Sequence, residues 1–588
     1  MHKRLYLIIA VLVTPIFLFA CEKHGAENKI DPKVLAATVD KASALADTLD
    51  KLNTRAYGMA QVGAAMAAVD AAGANQALDE ALTVAKDVHS AANKAALEEL
   101  RAATKDWGGK DLEQVEPAIS RIENATTRVW AIRSVAESMA LVNKAKAMSV
   151  LLEAAAEAEA IADKKYRDLD LRGVAAGMAS LDTGAAAGVA GKIADPRDKA
   201  WVLTVIGKES GKADILSAAE EAAASIKDMA PASELIKEDT SEDVKAKVLS
   251  YEKAKLAAAS ARSLGKVALA MNAVDPGKAT AIFDKALDTA SKIEHPYTKA
   301  YATSDVLMDL AEVDHDSAGK LAWKIDAGHE DAQFAALFKA AQVKSKTVGV
   351  QEDLEKAAGV AESIQDPYEK AKALTTVADL MVTYSRDKAT EMAEGIEYPA
   401  LKNEVLARVA VALSKESEDK AKEALGKIVE PRFANKEVLY VKANALADMA
   451  AMMVSSDADA AKKLYGKAAG AAADTKSAPL QWKIASGLCK LDHDKLYEAA
   501  AKIEGDNYNN AMGLSEIAAD WSSKGDSGAG MVWDMAAKAA TAMDDDYASS
   551  ETLNALATRC AQFDKARASA MLAKSLDKVR KIGKPKEV

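Results

Sequence analysis

The phrase Ile-x-x-Pro-x-x-Lys-Ala recurs along this chain and constrains its architecture more than any other feature. Its full and shortened copies begin at Ile193, Ile293, Ile364, Ile396 and Ile428. A fixed period of 20–50 residues is typical of a stack of similar supersecondary units. The phrase therefore predicts a repeat architecture, but it does not indicate which molecule the protein handles.

The spacing of the isoleucines gives the size of one unit. Ile364 to Ile396 and Ile396 to Ile428 are each 32 residues, whereas Ile325 to Ile364 is 39. The same place in the pattern is held without a proline by Ile122, Ile325 and Ile503. A unit of this length has room for two helices of ordinary length and two turns.

The residues inside one unit predict a helix hairpin. Proline at the fourth place of the phrase suits the first turn of a helix, where its missing N–H has no intrahelical partner to lose. The following segment, Lys370–Met381, places its apolar residues near one face. After a polar break, Asp387 is the predicted N-cap of Lys388–Ile396, as Asp419 is of Lys420–Ile428. One hairpin is too small to bury its own apolar stripe, so neighbours must stack.

The composition favours an all-helical chain. Charged residues make up 28 % of the sequence, aromatic residues only 5 %, and there are 12 prolines. Alternating Val/Ile/Thr segments that would indicate a sheet are absent from the sequence. A solenoid also explains how 588 residues can form one body, because each repeat contacts only its neighbours. The candidate breaks are the glycine-rich Gly173–Gly191 and the segment Met229–Ser241.

The N-terminus has the pattern of an export signal. Met1–Arg4 is basic and Leu5–Ala20 is an apolar core, with Cys21 directly after Leu-Phe-Ala. This arrangement resembles the lipobox of bacterial lipoproteins. The resemblance implies cleavage before Cys21, a diacylglycerol on its thiol and an acyl chain on its amine. Plain secretion and an uncleaved helical anchor are the alternatives.

The segment after the cysteine predicts a tether on the outer side of a membrane. Residues 21–33 are mostly polar and charged, and they include Gly25 and Pro32. Glu22 stands where aspartate is associated with inner-membrane retention, which favours the outer membrane if the cell has two. The rest of the chain is expected to lie outside the cytoplasm, and more than one acyl chain would hold it firmly on the membrane.

The charge of the chain argues against nucleic acid as a partner. The formal net charge is −11, and binding to phosphates requires clustered Lys and Arg. The clearest basic cluster is Lys578–Lys586, which we interpret as part of a solvated tail.

Two Asp-His-Asp motifs are the main candidates for chemistry. In Asp314–Asp316 and Asp492–Asp494, a histidine between carboxylates has the residue types of a metal ligand or a base. The structural interpretation is that Asp316 and Asp494 are N-caps and that the histidines lie in turns. We favour the structural interpretation, since adjacent residues point apart and the motifs are far apart along a solenoid. Asp544–Asp546 lacks the glycine and glutamate of a calcium loop.

The remaining cysteines and the tryptophans are predicted to be core residues. Cys489 and Cys560 are interpreted as small buried apolar residues, with a disulfide as the alternative. The tryptophans are spread over the repeats as core fillers, although an exposed one on a concave face would be a binding anchor. We expect no metal, no cofactor and no catalytic residue.

The stretch Pro399–Pro431 resembles a tetratricopeptide-like unit. The match lies in Ala421 and Leu425 on the second helix and in Pro431, which opens the next unit. HEAT-like helical repeats are the alternative. Either resemblance implies an α-solenoid whose inner groove binds a peptide, a helix or a partner subunit, without shared catalytic residues.

These expectations define a domain plan and three function classes. The plan is a signal peptide (1–20), a tether (21–33), divergent Ala-rich repeats (34–260), tetratricopeptide-like repeats (261–577) and a basic tail (578–588). The first class is a membrane-anchored, non-catalytic scaffold for envelope or secreted proteins. The alternatives are a toroidal enzyme acting on an envelope polymer, and a self-associating structural protein. The sequence leaves open whether the solenoid closes on itself and what its oligomeric state is.

Overall fold

The computed structural model describes residues 30–583 apart from 106, 108, 128, 232–240, 345–348, 415, 429–435, 455–456, 474, 476 and 492–506. All regular structure in this part of the chain is helical, which confirms the predicted all-α fold class. A short 3-10 helix, Ile226–Asp228, follows α10. The α-helices are α1 Pro32–Met66, α2 Ala71–Val88, α3 Ala91–Thr104, α4 Gly109–Thr127, α5 Trp130–Met139, α6 Lys144–Glu159, α7 Lys164–Met178, α8 Thr183–Gly191, α9 Pro196–Ser210, α10 Ala213–Ser225, α11 Glu242–Asn272, α12 Pro276–Ser291, α13 Pro296–Ala311, α14 His315–Ala322, α15 Glu330–Lys344, α16 Val350–Glu362, α17 Pro367–Met381, α18 Arg386–Glu394, α19 Pro399–Leu413, α20 Glu418–Gly426, α21 Lys436–Met453, α22 Ala458–Ala473, α23 Ala478–Leu491, α24 Asn507–Ser523, α25 Ala529–Thr541, α26 Asp546–Cys560 and α27 Lys565–Lys581.

The repeated phrase forms the hinge between two helices, as predicted. Ile193 and Ile364 are buried just after one helix ends, and the proline of the phrase is the first residue of the next helix. Asp195 caps α9 by accepting a hydrogen bond from the backbone N–H of Arg197 at 2.8 Å. Asp366 caps α17 in the same way. In the copy that begins at Ile293, the N–H of Thr298 donates to the ring nitrogen Nδ1 of the N-cap His295.

The predicted N-caps of the shorter helices are wrong by two residues. Ser385, not Asp387, accepts from the N–H of Lys388, and Ser417 takes the place expected for Asp419. Asp314 likewise caps α14 in place of Asp316. In each case an extended residue precedes the helix and its side-chain oxygen reaches the N–H three positions on. The predicted aspartates lie in the first turn, where a negative charge favours the helix dipole. Asp494 lies outside the described residues.

The hairpins stack into two layers. One set of thirteen described helices makes contacts around the whole molecule, each helix with its neighbours in the same set. These inner helices are α1, α5, α7, α9, α11, α13, α15, α17, α19, α21, α23, α24 and α26. The outer helices between them lie further apart. Ion pairs between long side chains join them, such as Lys285 Nζ to Glu220 Oε1 at 2.8 Å. Because each helix of the first set contacts the next one all the way around, this set has the smaller circumference and forms the inner layer.

The solenoid closes into a ring. Both α26 and α27, at the end of the chain, pack against α1. Ala56 and Met59 of α1 belong to the same buried apolar cluster as Leu576 and Val579 of α27. Arg580 also donates two hydrogen bonds to the carboxylate of Glu80, at 2.6 and 2.9 Å. We call this junction the seam.

Small residues let the helices approach closely throughout the ring. At Gly63, a Cβ atom would lie 2.6 Å from Leu78, and at Gly207 it would lie 2.6 Å from Leu216. The core runs without interruption through the candidate break Gly173–Gly191, where Val174 and Val189 are buried in one cluster with the neighbouring units. The second candidate break lies largely outside the described residues.

A three-helix stalk stands apart from the ring. The first half of α1 packs against α3 and α4 around a separate apolar core that includes Leu49, Leu100 and Ile119. Ion pairs on its surface join α4 to α1, as between Arg121 and Asp47 at 2.8 Å. The stalk therefore has its own core and contacts the ring where α1 and α4 reach it.

Candidate functional site: an aromatic collar at one mouth of the ring

All inner helices run in the same direction. Wherever the structure describes the connection between two inner helices, the chain returns antiparallel, so the next inner helix starts again at the same side. The N-terminal ends of the inner helices consequently gather at one mouth of the ring, and the C-terminal ends gather at the other. The described prolines of the repeated phrase lie at the first mouth: Pro196, Pro296, Pro367 and Pro399.

Exposed aromatic side chains mark this mouth on seven of the thirteen inner helices. Their exposed fractions run from 36 to 55 %, high for residues of this size. They lie in the first turns of their helices or directly before them, except that Tyr251 lies further along the longer helix α11. We call them the aromatic collar: Trp201, Tyr251, Tyr297, Tyr368, Tyr398, Tyr440 and Tyr508.

Ring contacts continue the collar from one repeat to the next. The centroids of Tyr368 and Tyr398 are 5.4 Å apart and meet edge to face across α17 and α19. Tyr297 meets His329 of the next unit at 6.1 Å. At the seam side, Tyr57 of α1 lies 5.2 Å from Trp130, the first residue of α5. Aromatic groups therefore follow the mouth around the ring across repeat boundaries.

Cations fix the orientation of several collar rings. Arg172 lies over the Trp201 ring at 5.1 Å, while Lys255 lies over Tyr251 and Lys372 over Tyr368. Such contacts contribute about 0.5–1 kcal/mol at exposed sites. Arg172 also pairs with Asp198 at 2.6 Å, which connects α7 to α9. The collar is thus held in place without being buried.

The backbone of the mouth is held by buried carboxylates. Asp168 of α7, which is 3 % exposed, accepts hydrogen bonds from the N–H groups of Ala194 and Asp195 at 3.0 and 2.8 Å. Asp170 accepts from the N–H of Val129, just before α5. Burial opposes the ionisation of Asp195, but Arg197 outweighs it and lowers the pKa of this carboxyl. The hinges that position the collar are therefore tied to neighbouring helices.

The sequence alone does not mark the collar as an exposed surface. Tyr297, Tyr368 and Tyr398 lie beside the proline of the phrase, and all three are exposed. Whether a side chain beside a helix start is buried depends on the curvature of the stack, which no single repeat encodes. The signal in the sequence is the tyrosine beside the proline of the phrase. Asp195 and His295, in the same phrase, are N-caps.

The tryptophans also divide into buried and exposed side chains. Trp482, Trp521 and Trp533 are buried, as predicted for core fillers. Trp201 and Trp323 are about half exposed, and Trp201 belongs to the collar.

The lumen behind the collar is wide. Thirteen inner helices with axes about 9 Å apart form a circle whose axis-to-axis diameter is about 37 Å. Subtracting one helix diameter of about 10 Å leaves an opening of about 27 Å. A helix or a small folded segment fits in such a space.

The other candidate residues lie elsewhere. Cys489 and Cys560 are buried and free, and burial raises the pKa of the Cys560 thiol to about 11. His315 contacts Asp316 at 3.1 Å on the first turn of α14, and no group of three or more metal-ligating side chains occurs among the described residues. Asp545 caps α26. Cys21 and the motif at 492–494 lie outside the described residues.

A separate cavity lies where the stalk meets the ring. It has a volume of about 370 Å³, and His89, Leu97, Val129 and Ile161 contribute to its lining. His89 is buried, and its Nδ1 lies 3.4 Å from the carbonyl oxygen of Thr126, whereas its Nε2 has no hydrogen-bond partner. Burial lowers the pKa of His89 to about 4, so the imidazole is neutral at pH 7.

Comparison with solved structures gives several distant neighbours, among them Ton1535 and a circular tandem repeat protein. No family model and no curated protein matches the chain. Ton1535 from Thermococcus onnurineus NA1 shares 16 % identity over 63 % of this chain and 94 % of its own, with a TM-score of 0.22. A circular tandem repeat protein with a novel repeat topology and enhanced subunit contact surfaces shares 12 % identity over 92 % of this chain and 98 % of its own, with a TM-score of 0.23. None of the described helices combines the length and apolarity that a membrane span requires.

Proposed function

We propose that this protein is a lipid-anchored, non-catalytic scaffold that binds another protein at the aromatic collar of its ring. Attachment through Cys21 would place the ring outside the cytoplasm, on the outer membrane if the cell has two. The observation that carries the binding proposal is the set of half-exposed Tyr and Trp side chains at one mouth, on seven of the thirteen inner helices.

The chemistry of the collar suits a protein partner. Tyr, Trp and Arg are the side chains that most often dominate binding energy at protein interfaces. The collar supplies Tyr and Trp on a rigid helical frame, and Arg172 stacks on one of them. Rigid anchors lose little conformational entropy when a partner binds.

The charge of the chain argues against nucleic acid as the partner. A formal net charge of −11 repels phosphates. The cations that lie over the collar rings are Arg172, Lys255 and Lys372, so the partner we infer meets the collar through apolar side chains.

Ring closure is shared with the toroidal enzymes that the sequence left as an alternative. The lumen width distinguishes the two proposals, because catalysis gains from an enclosed site that excludes water. An opening of about 27 Å, estimated from the helix spacing, instead leaves the inner surface open to solvent and to macromolecules.

The collar proposal is tested by crosslinked recovery of partners from membranes. The variant Tyr297→Ser/Tyr368→Ser/Tyr398→Ser removes three adjacent collar rings from exposed positions. The matched control, Leu141→Ser/Val313→Ser/Phe563→Ser, removes three exposed apolar side chains that follow the C-terminal ends of inner helices, at the opposite mouth. We expect one partner to be lost with the collar variant and retained with the control. Equal recovery with both variants, or recovery of this chain alone, contradicts the proposal.

The anchor is tested separately with Cys21→Ala. We expect the variant to leave the membrane fraction and to lose lipid labelling, while circular dichroism stays unchanged. A variant that stays membrane-bound and processed contradicts the lipid anchor without affecting the collar.

A further inference from the structure

The stalk projects from the same mouth as the collar. Tyr57 of α1 lies level with Trp130, where α5 begins, so the ring starts at about this residue of α1. The preceding part of α1, about 25 residues from Pro32 onward, extends beyond the mouth by about 37 Å at 1.5 Å per residue. The remaining helix, from Tyr57 to Met66, packs inside the ring.

The stalk is stabilised by its own apolar core and by ion pairs between its helices. Its three helices share a buried core of their own, including Ala46, Leu49 and Ile122. Arg101 pairs with both Glu116 and Glu123 at 2.9 and 2.6 Å, which connects α3 to α4. The stalk is therefore a rigid spacer between the ring and the start of α1.

The chain continues from the far end of the stalk toward the proposed anchor. The described part begins at Ile30, just before α1, and Cys21 lies nine residues earlier in the sequence. Nine residues span at most about 30 Å when extended. A lipid on Cys21 would thus attach on the collar side of the ring, beyond the stalk.

We propose that the aromatic collar faces the membrane across the gap set by the stalk, and that it binds the water-exposed part of a protein embedded in that same membrane. This inference rests on the proposed lipid anchor and on the collar as binding surface. A segment emerging from the bilayer meets the collar before any other surface of the ring.

The stalk distinguishes this partner from the bilayer itself. Tyr and Trp side chains also favour membrane interfaces. A spacer of about 37 Å that ends at the tether keeps the collar away from the headgroups, because the ring cannot descend past its own stalk. The gap instead matches the size of a small folded segment or helical hairpin.

The orientation is tested by energy transfer in vesicles. The full lipidated chain, labelled at Tyr368→Cys or at Thr383→Cys, is bound to vesicles that carry an acceptor on their lipid headgroups. These residues lie at opposite ends of α17, about 22 Å apart, and the native Cys489 and Cys560 are buried. We expect higher transfer efficiency from position 368 than from position 383. Equal or reversed efficiencies overturn the inference.

Flotation of the same vesicles separates the two levels of the proposal. Chains that do not float overturn the anchor and the orientation together. Chains that float with equal transfer from both positions overturn the orientation alone. Quenching of the 368 label by a nitroxide on the lipid acyl chains would show that the collar lies in the bilayer, which overturns the partner class.

The partner class is tested with a photocrosslinking residue at position 368 or 383 in intact membranes. We expect position 368 to crosslink to peptides from proteins that contain a membrane span, at sites close to that span, and position 383 not to do so. Crosslinks from position 368 confined to proteins without a span contradict the inference.

Discussion

The seam and an interior junction of the ring are built from the same contacts but differ in how they are connected. At the junction of α10 and α12, Lys285 reaches Glu220, and at the seam Arg580 reaches Glu80 between the last and the first outer helices. Between inner helices, Gly265 lies close to Val306 of α13. The interior junction also has a continuous backbone, whereas the seam joins residues 500 positions apart.

Because the seam has no continuous backbone, the contacts between repeats are sufficient by themselves to join the chain ends. In a repeat protein, stability is the sum of each repeat and of its contacts with its neighbours. Closing the ring adds one more neighbour contact and removes two exposed ends. The entropic cost of closure grows only slowly with chain length, and the stacked repeats lower it further by holding the ends in position.

The largest expected effect comes from breaking an interior junction at its buried carboxylate. Asp168→Ala removes the acceptor of the N–H groups of Ala194 and Asp195, whose hydrogen bonds to it are partly buried. We expect a loss of about 3 kcal/mol in unfolding free energy, since each hydrogen bond to a charged group contributes about 1.5–3 kcal/mol. Urea unfolding followed by circular dichroism measures it. The exposed N-cap variant Asp163→Ala is the control and should cost about 1 kcal/mol. Similar losses in both variants would contradict a special role for Asp168.

Overpacking tests the seam against the interior. A Cβ at Gly58 lies 3.0 Å from Val579 Cγ1, and at Gly265 it lies 3.1 Å from Asp309 Oδ2. We expect Gly58→Leu and Gly265→Leu each to cost about 3 kcal/mol. Only Gly58→Leu should open the ring, which small-angle X-ray scattering would detect as a larger radius of gyration. Equal radii for both variants would mean that the seam is not the weaker connection.

The junction of stalk and ring is expected to weaken in acid. The pKa of His89 is lowered by burial from 6.5 to about 4, so the stabilisation that comes from keeping it neutral is complete above pH 6.5 and disappears as the pH falls through 4. Between pH 7 and pH 5 the loss is about 2 kcal/mol. His89→Leu should remove this part of the pH dependence, measured as the difference in unfolding free energy between the two proteins. Parallel pH curves would contradict it.

The smallest effect is expected from the ion pair that crosses the seam. Arg580 and Glu80 are each about one-third exposed, so we expect Arg580→Gln to cost about 1 kcal/mol. Lys285→Gln should cost no more at the interior junction. Thermal melting at low and high salt measures both, and the difference should shrink as salt screens the pairs. If the loss in melting temperature of Arg580→Gln is the same at low and high salt, the ion pair makes no electrostatic contribution.

Local features of the fold could be read from the sequence. The Ile and Pro of each phrase predict where one helix ends and the next begins, because proline tolerates only the first turn. The caps were harder, since Ser385 and Asp387 both have the chemistry of an N-cap, and the choice depends on which residue takes the extended conformation.

Ring closure and the collar could not be predicted, for a common physical reason. Closure depends on a small rotation at each interface, which accumulates over the whole stack, and no local pattern connects Gly58 with Val579. The exposure of Tyr368 follows from the same curvature, because a wide lumen leaves its side uncovered. The tyrosine was visible in the sequence, but its surroundings were not.

The most direct test of the closed ring is a distance between the first and the last outer helices. Spin labels at Gln76→Cys and Asp577→Cys lie one turn from Glu80 and Arg580, on exposed positions. Double electron–electron resonance should give one narrow distance below about 25 Å, since two helical turns and one ion pair separate the labels. A broad distribution centred well beyond that distance, with Gly58→Leu indistinguishable from the wild type, would contradict a closed ring.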